Sequence, residues 1–277
     1  TVTVNGGATL QFNGNWATGD GLANKVVVNG GTLQFLNSDN YMGNIELTGG
    51  AITASGGLRP WRTGNWGNGL IKTNASATSS TISGSLCFVG TAAAPQTTFD
   101  VADGGAANDL VMSALVYDHP GFEGRMALVK NGAGTMTLGD GGFHNGWVRN
   151  TYSGPTIVND GKLIINAGTW SAGSEVGGRL IINAGAEVET TQPHIFGYWG
   201  RDLEIHGGTF DPHTGLYMGS LTMTGGLWEG AGAQVWGHVT VNSSPNTALI
   251  TARPSIWEYA NHNFTVADGA QLSLIHI

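Results

Sequence analysis

Apolar residues recur two positions apart at nine places along the chain, each just ahead of a short glycine-rich turn. The pairs are Val2/Val4, Val26/Val28, Ile45/Leu47, Phe99/Val101, Leu180/Ile182, Leu203/Ile205, Leu221/Met223, Val239/Val241 and Phe264/Val266. A period of two is that of a strand, whose successive side chains point to opposite faces, so both members of a pair share one face. After the turn the alternation resumes, as in Leu33/Phe35, Met136/Leu138 and Leu163/Ile165. The repeating unit is therefore strand, tight turn, strand and loop.

The turn is Asn-Gly-Gly or a variant, and its third position is Gly7, Gly31, Gly50, Ser76, Gly104, Gly134, Gly161, Gly185, Gly208, Gly226, Ser244 and Gly269. The spacing runs from 18 to 30 residues with a mean of about 24, which suits one solenoid coil with a loop of variable length. One coil cannot bury its own apolar face. Stacking coils at the ~4.8 Å strand spacing closes a dry interior and satisfies the backbone laterally. The pattern predicts an all-β chain, a right-handed parallel β-helix (β-solenoid) of about 11–12 coils running as one continuous stack over residues 1–277. In such a stack Leu180 should touch Leu203 and Ile182 should touch Ile205, while Glu204 points outward.

Two residue types mark the turn. Glycine suits a positive φ, which penalises any residue with a Cβ. Asparagine stands two positions earlier at Asn5, Asn29, Asn74, Asn159, Asn183 and Asn242. Stacked asparagines can hydrogen-bond as a ladder, and asparagine is also favoured in turns; both readings fit the same fold. The candidate stacking column is Asn5, Gly7, Asn29, Gly31, Asn159, Gly161, Asn183 and Gly185.

Within Leu128–Leu163, Lys130, Gly132, Gly134 and Thr135 are followed by Tyr152, Gly154, Thr156, Val158, Gly161 and Leu163. This stretch resembles the autotransporter-associated β-strand repeat, with an insertion at Gly139–Arg149 where that family is usually shorter. The resemblance implies a right-handed β-helical protein, secreted or held at a bacterial cell surface as an adhesin, passenger or fibre. It carries over no catalytic residues.

Composition narrows the classes further. Glycine supplies 46 of 277 residues, more than twice the usual ~7%, while charged residues make up 11% against a typical ~25%. The hydrophobic fraction of 40% is enough for a core. Net charge is −8 and the 11 Lys and Arg are scattered singly, so the electrostatic footprint of a nucleic-acid binder is missing. Cys87 cannot form an internal disulfide and reads as a core residue. No apolar run approaches a membrane span. The chain opens on Thr-Val-Thr-Val with neither Met nor signal peptide, as the interior of a longer polypeptide would, and Leu272–Ile277 resembles a translated sequencing adapter.

Solenoids also host polysaccharide lyases and hydrolases, so the carboxylates matter. Glu187 and Glu189 share a strand face and could hold a cation or act in acid/base chemistry, but they show no evident basic partner and read as a solvated outer face. Asp100, Asp103 and Asp109 cluster at a turn, where capping is the simpler role than Ca²⁺ binding. Asp118-His119 reads as a loop pair, and the histidines form no metal-ligand pattern. No metal, cofactor or catalytic residue is expected. Tryptophans in glycine-rich loops, namely Trp16, Trp66, Trp147, Trp199, Trp228 and Trp236, read first as rings that pack over the core beneath the loops and, where exposed, as candidate glycan or assembly contacts.

The expected function is that of an extracellular structural protein, a filament subunit or surface stalk built by head-to-tail stacking, because Val2/Val4 and Phe264/Val266 are ordinary coils without a capping element. An adhesin or glycan-binding passenger domain is the alternative, and a polysaccharide lyase or hydrolase is third. The enzyme requires several carboxylates beside a basic residue on one face.

Overall fold

The computed structural model describes residues 1–13, 25–36, 40–42, 44–60, 69–88, 96–118, 126–139, 143–144, 150–169, 178–197, 200–256, 262–268 and 272–274. These residues form strands, turns and irregular segments with no helix among them. The strands pair in parallel and in register, as a β-solenoid requires. The chain divides into two compact units, Thr1–Gly139 with Thr151–Gly154, and Asp140–Asn150 with Pro155–Ile277.

In the first unit, one sheet runs through Val2–Asn5, Lys25–Asn29, Asn44–Thr48, Gly69–Thr73, Gln96–Val101 and Ala127–Asn131. A second sheet follows each turn, through Thr9–Phe12, Thr32–Phe35, Ala51–Pro60, Ser80–Phe88, Leu110–Met112 and Thr135–Leu138. Two of these strands are long enough to turn a corner and take a further partner. Asn40–Met42 pairs with the end of Ala51–Pro60, and Leu115–Asp118 pairs with the end of Ser80–Phe88. The inner column Val26, Ile45, Ile71 and Phe99 is buried, as the period of two demands. Phe12 stacks on Phe35 with centroids 5.4 Å apart and planes 12° off parallel, since matched register puts equal side chains over one another.

The strand Ala127–Asn131 departs from the simple pattern. Lys130 pairs with Phe99 and so occupies the inner column, where it is fully buried. Its ammonium donates to the Gly132 carbonyl at 2.6 Å and the Asn131 carbonyl at 3.5 Å, tying the lysine to the following turn. Such bonds are what makes a buried charge tolerable. Tyr152 packs inside the same unit with its ring 5.3 Å from Phe88.

The second unit repeats the plan. Its first sheet runs through Thr156–Val158, Leu180–Asn183, Leu203–His206, Leu221–Met223, Val239–Val241 and Phe264–Val266. Its second runs through Gly161–Ile165, Ala186–Thr190, Thr209–Pro212, Gly226–Trp228, Ala248–Ile250 and Leu272–Leu274. A third face is built by Leu216–Met218, Ala233–Val235 and Ser255–Ile256. Leu180 pairs with Leu203 and Ile182 with Ile205, all fully buried, while Glu204 points outward. At the outermost strands the expected burial fails: Val2 is 46% exposed, and Phe264 and Val266 are 51% and 49% exposed. Among the described residues, each has a neighbouring strand on one flank only.

Turns keep their glycines for two distinct reasons. Gly7, Gly161 and Gly185 adopt the positive φ expected of them. At Gly30-Gly31 the positive φ moves one residue earlier to Gly30, and Gly31 is required instead because a Cβ there would lie 2.5 Å from the Asn5 carbonyl oxygen of the preceding coil. The asparagine ladder forms between Asn183 and Asn159, whose side-chain amides are bonded at 2.6 Å. Asn74 and Asn242 reach instead to the hydroxyls of Thr48 and Thr224.

Candidate functional site

Chemistry gathers on the outward faces of the second unit. In its second sheet, Leu163, Ile165, Val188 and Phe210 point inward and are buried, so the alternate residues Lys162, Glu187, Glu189 and Asp211 point out. The register aligns Lys162 with Glu187 and Glu189 with Asp211 on successive strands. The Lys162 ammonium lies 3.1 Å from Glu187 Oε1 and also donates to Glu189 Oε1. Burial by itself would lower its pKa, but hydrogen bonds to Glu189 and Glu187, and their negative charge, outweigh that and hold it above its ordinary value. The two glutamates therefore have the basic partner that the sequence reading did not give them.

His213 follows Pro212 and extends the ladder, its backbone amide donating to the Thr190 carbonyl at 2.9 Å. Its Nε2 stands 3.5 Å from Asp211 Oδ2 and 3.9 Å from Glu189 Oε1. Glu204, outward on the first sheet, pairs with Arg179 at 2.6 Å and lies 3.4 Å from His206 Nε2.

The third face of the same unit carries a groove of about 460 Å³. His194, Tyr217, Gln234, Arg253 and Ser255 contribute to its walls. Tilted aromatic rings lead away from its wall: His194 to Tyr217 with centroids 4.7 Å apart, then Tyr217 to Trp236 at 5.6 Å. The Trp236 indole donates to Gln234 Oε1 at 3.2 Å. His194 is the one described non-glycine residue at positive φ, 59°, and burial pushes its imidazole pKa below the ordinary value, so the ring is neutral at pH 7.

The other expected contacts fall out unevenly. Trp236 is half-buried beside the groove, but Trp228 is a core residue: it lies in register between Phe210 and Ile250 and is fully buried, because its strand position faces inward. Trp16, Trp66, Trp147 and Trp199 lie outside the described residues, as does His119. Asp109 is buried and accepts from the Gly104 amide at 2.9 Å and the Thr135 amide at 2.8 Å, a turn-capping role. Asp118 accepts from the Ser153 amide at 2.9 Å. Cys87 is buried and unbridged. No helix among the described residues is long and apolar enough to cross a membrane. Comparison with family models, curated proteins and solved structures returned no match to this chain.

Proposed function

We propose that the chain is a structural segment of an extracellular or cell-surface β-solenoid, a filament subunit or stalk extended by stacking coils end to end. One observation carries the reading. Val2, Phe264 and Val266 belong to the inward columns that are buried throughout the stack, yet they are 46%, 51% and 49% exposed on strands paired along one edge only. An open strand edge flanked by apolar side chains is a template for a further strand. Continuing coils of the same polypeptide or a neighbouring copy would complete it in the same way. The resemblance of Leu128–Leu163 to a passenger-type repeat supports placement outside the cell. Electron microscopy of native material is expected to show filaments or long stalks of uniform width; dispersed particles with capped ends would overturn the proposal.

The groove favours a second reading, a glycan-binding surface. Tyr217 in the wall, with Trp236 packed behind it at 5.6 Å, offers an apolar ring, and Gln234, Arg253 and Ser255 offer polar groups beside it, the combination that sugars require. Binding to a panel of immobilised polysaccharides, lost on Trp236→Ala, would support it; a panel bound by neither form would rule it out. For the polysaccharide-cleaving reading, Lys162 with Glu187, Glu189 and Asp211 meets the minimum composition. A raised pKa keeps Lys162 protonated, however, which suits a tie between coils better than a general base.

A further inference from the structure

The outward cluster of the second unit carries more negative charge than its one ammonium balances. Lys162 lies against Glu187 and Glu189, whereas Asp211 has His213 as its basic neighbour. Setting the imidazole aside, three carboxylates against one ammonium leave an excess of two negative charges at one patch of the sheet.

The geometry matches what a divalent ion asks for. One oxygen each from Glu189 and Asp211 and one ring nitrogen of His213 lie within 4.8 Å of one another. Around an ion bound at about 2.0–2.2 Å, tetrahedral ligand atoms sit roughly 3.3–3.6 Å apart. The 3.5 Å separation of His213 from Asp211 is already there, and the 3.9 Å separation from Glu189 closes with a small rotation of the half-exposed imidazole. The supports are rigid: Glu189 and Asp211 are direct partners on neighbouring strands, and the His213 amide is held by Thr190. Gly230, near Asp211, leaves room for that carboxylate, since a Cβ there would meet Asp211 Oδ1 at 2.1 Å. An imidazole among the ligands favours zinc-like ions over calcium or magnesium, which take all-oxygen sets.

We propose that Glu189, Asp211 and His213 bind one divalent transition ion of the zinc class, bridging two successive coils and leaving its remaining coordination position open to solvent. Glu189 is shared between the ion and Lys162, so the ammonium competes with the metal. An ion that binds the folded stack but not the unfolded chain also stabilises it.

The test uses the whole 277-residue chain after chelator treatment, titrated with Zn²⁺ by calorimetry and with Co²⁺ by its visible absorption. One saturable site is expected, with a melting temperature raised by roughly 5 °C at an ion concentration of about a hundred times Kd. His213→Ala and Asp211→Asn should each weaken binding at least tenfold, roughly the low end of what even supporting residues contribute at metal sites. His213 is exposed, so its variant keeps the fold and the metal-free melting temperature. His206→Ala, which removes another imidazole beside a glutamate, should change nothing. Lys162→Gln should tighten binding severalfold by removing the competitor, an outcome that a purely structural role of the cluster does not produce. No saturable site, a site indifferent to His213→Ala and Asp211→Asn, or Lys162→Gln binding that is unchanged or weaker would each overturn the assignment and leave adventitious histidine binding only.

Discussion

The two units share one plan inward and differ outward. In the first unit, the outward positions of the second sheet are neutral: Thr9, Thr32, Ala51 and Thr81 in one row, and Gln11, Gln34, Thr53 and Ser83 in the next. In the second unit the corresponding rows hold Lys162, Glu187 and Thr209, then Ile164, Glu189 and Asp211. Inward, both units place interchangeable apolar residues, such as Leu10, Leu33, Ile52 and Ile82 in one and Leu163, Val188, Phe210 and Trp228 in the other. The lesson is a division of labour set by the pleat. Stacking needs only apolar volume on the inner face, so the outer face is free to acquire charge without affecting the ladder.

That contrast is easiest to break from the inside. Ile205→Asp would bury a carboxylate beside Ile182 and Met223 with no partner, and should cost at least ~4 kcal/mol, read as a large fall in the denaturation midpoint. Ile71→Asp in the first unit should do the same, because Ile71 is equally buried between Ile45 and Phe99. Equal losses would confirm that the inner columns are equivalent despite the outer difference.

Next in size is a contrast between two tryptophans. Trp228→Ala empties a fully enclosed site and should cost about 3–5 kcal/mol, whereas Trp236→Ala, at a half-buried ring, should cost well under half of that. Paired urea melts would measure both. Glycine positions give a smaller and sharper test. Gly31→Ala drives a Cβ into the Asn5 carbonyl and should cost about 3 kcal/mol, while Gly185→Ala, whose φ is +86° but whose nearest neighbour is 3.9 Å away, should cost about 1–2 kcal/mol.

Outward substitutions close the series. Glu204→Lys sets a second cation against Arg179 and should cost at most ~1 kcal/mol, and Lys162→Gln should cost a similar amount. The pH dependence of the Lys162 tie follows from its raised pKa. Its stabilisation is present in full below the unfolded lysine value of 10.5 and is lost as pH rises through the higher folded value, so Lys162→Gln should narrow its gap to the parent only in strong alkali. Thermal melts from pH 7 to pH 11 would show it.

The period of two was legible because strand geometry is local: Val26/Val28 and Leu203/Ile205 had to face one way, and the recurring turn had to stack them. The face of each coil was therefore decided by residues near one another in the chain. Register between coils followed only where neighbouring turns are equal in length, as for Leu180 with Leu203 and Ile182 with Ile205. Counting from the glycine turn aligns Lys162 with Ala186, but the turn into Ala186–Thr190 is one residue longer, so Lys162 lies opposite Glu187 and reaches Glu189. A shift of one residue exchanges the two faces of a strand, which is why the ammonium between the glutamates was invisible in the sequence. The same cause hid Lys130 in the core and brought Asp211, with His213 two residues on, across to Glu189. Alternation along each strand belongs to the sequence alone. Which outward residues meet across coils depends on the length of every turn, and only the folded stack determines it.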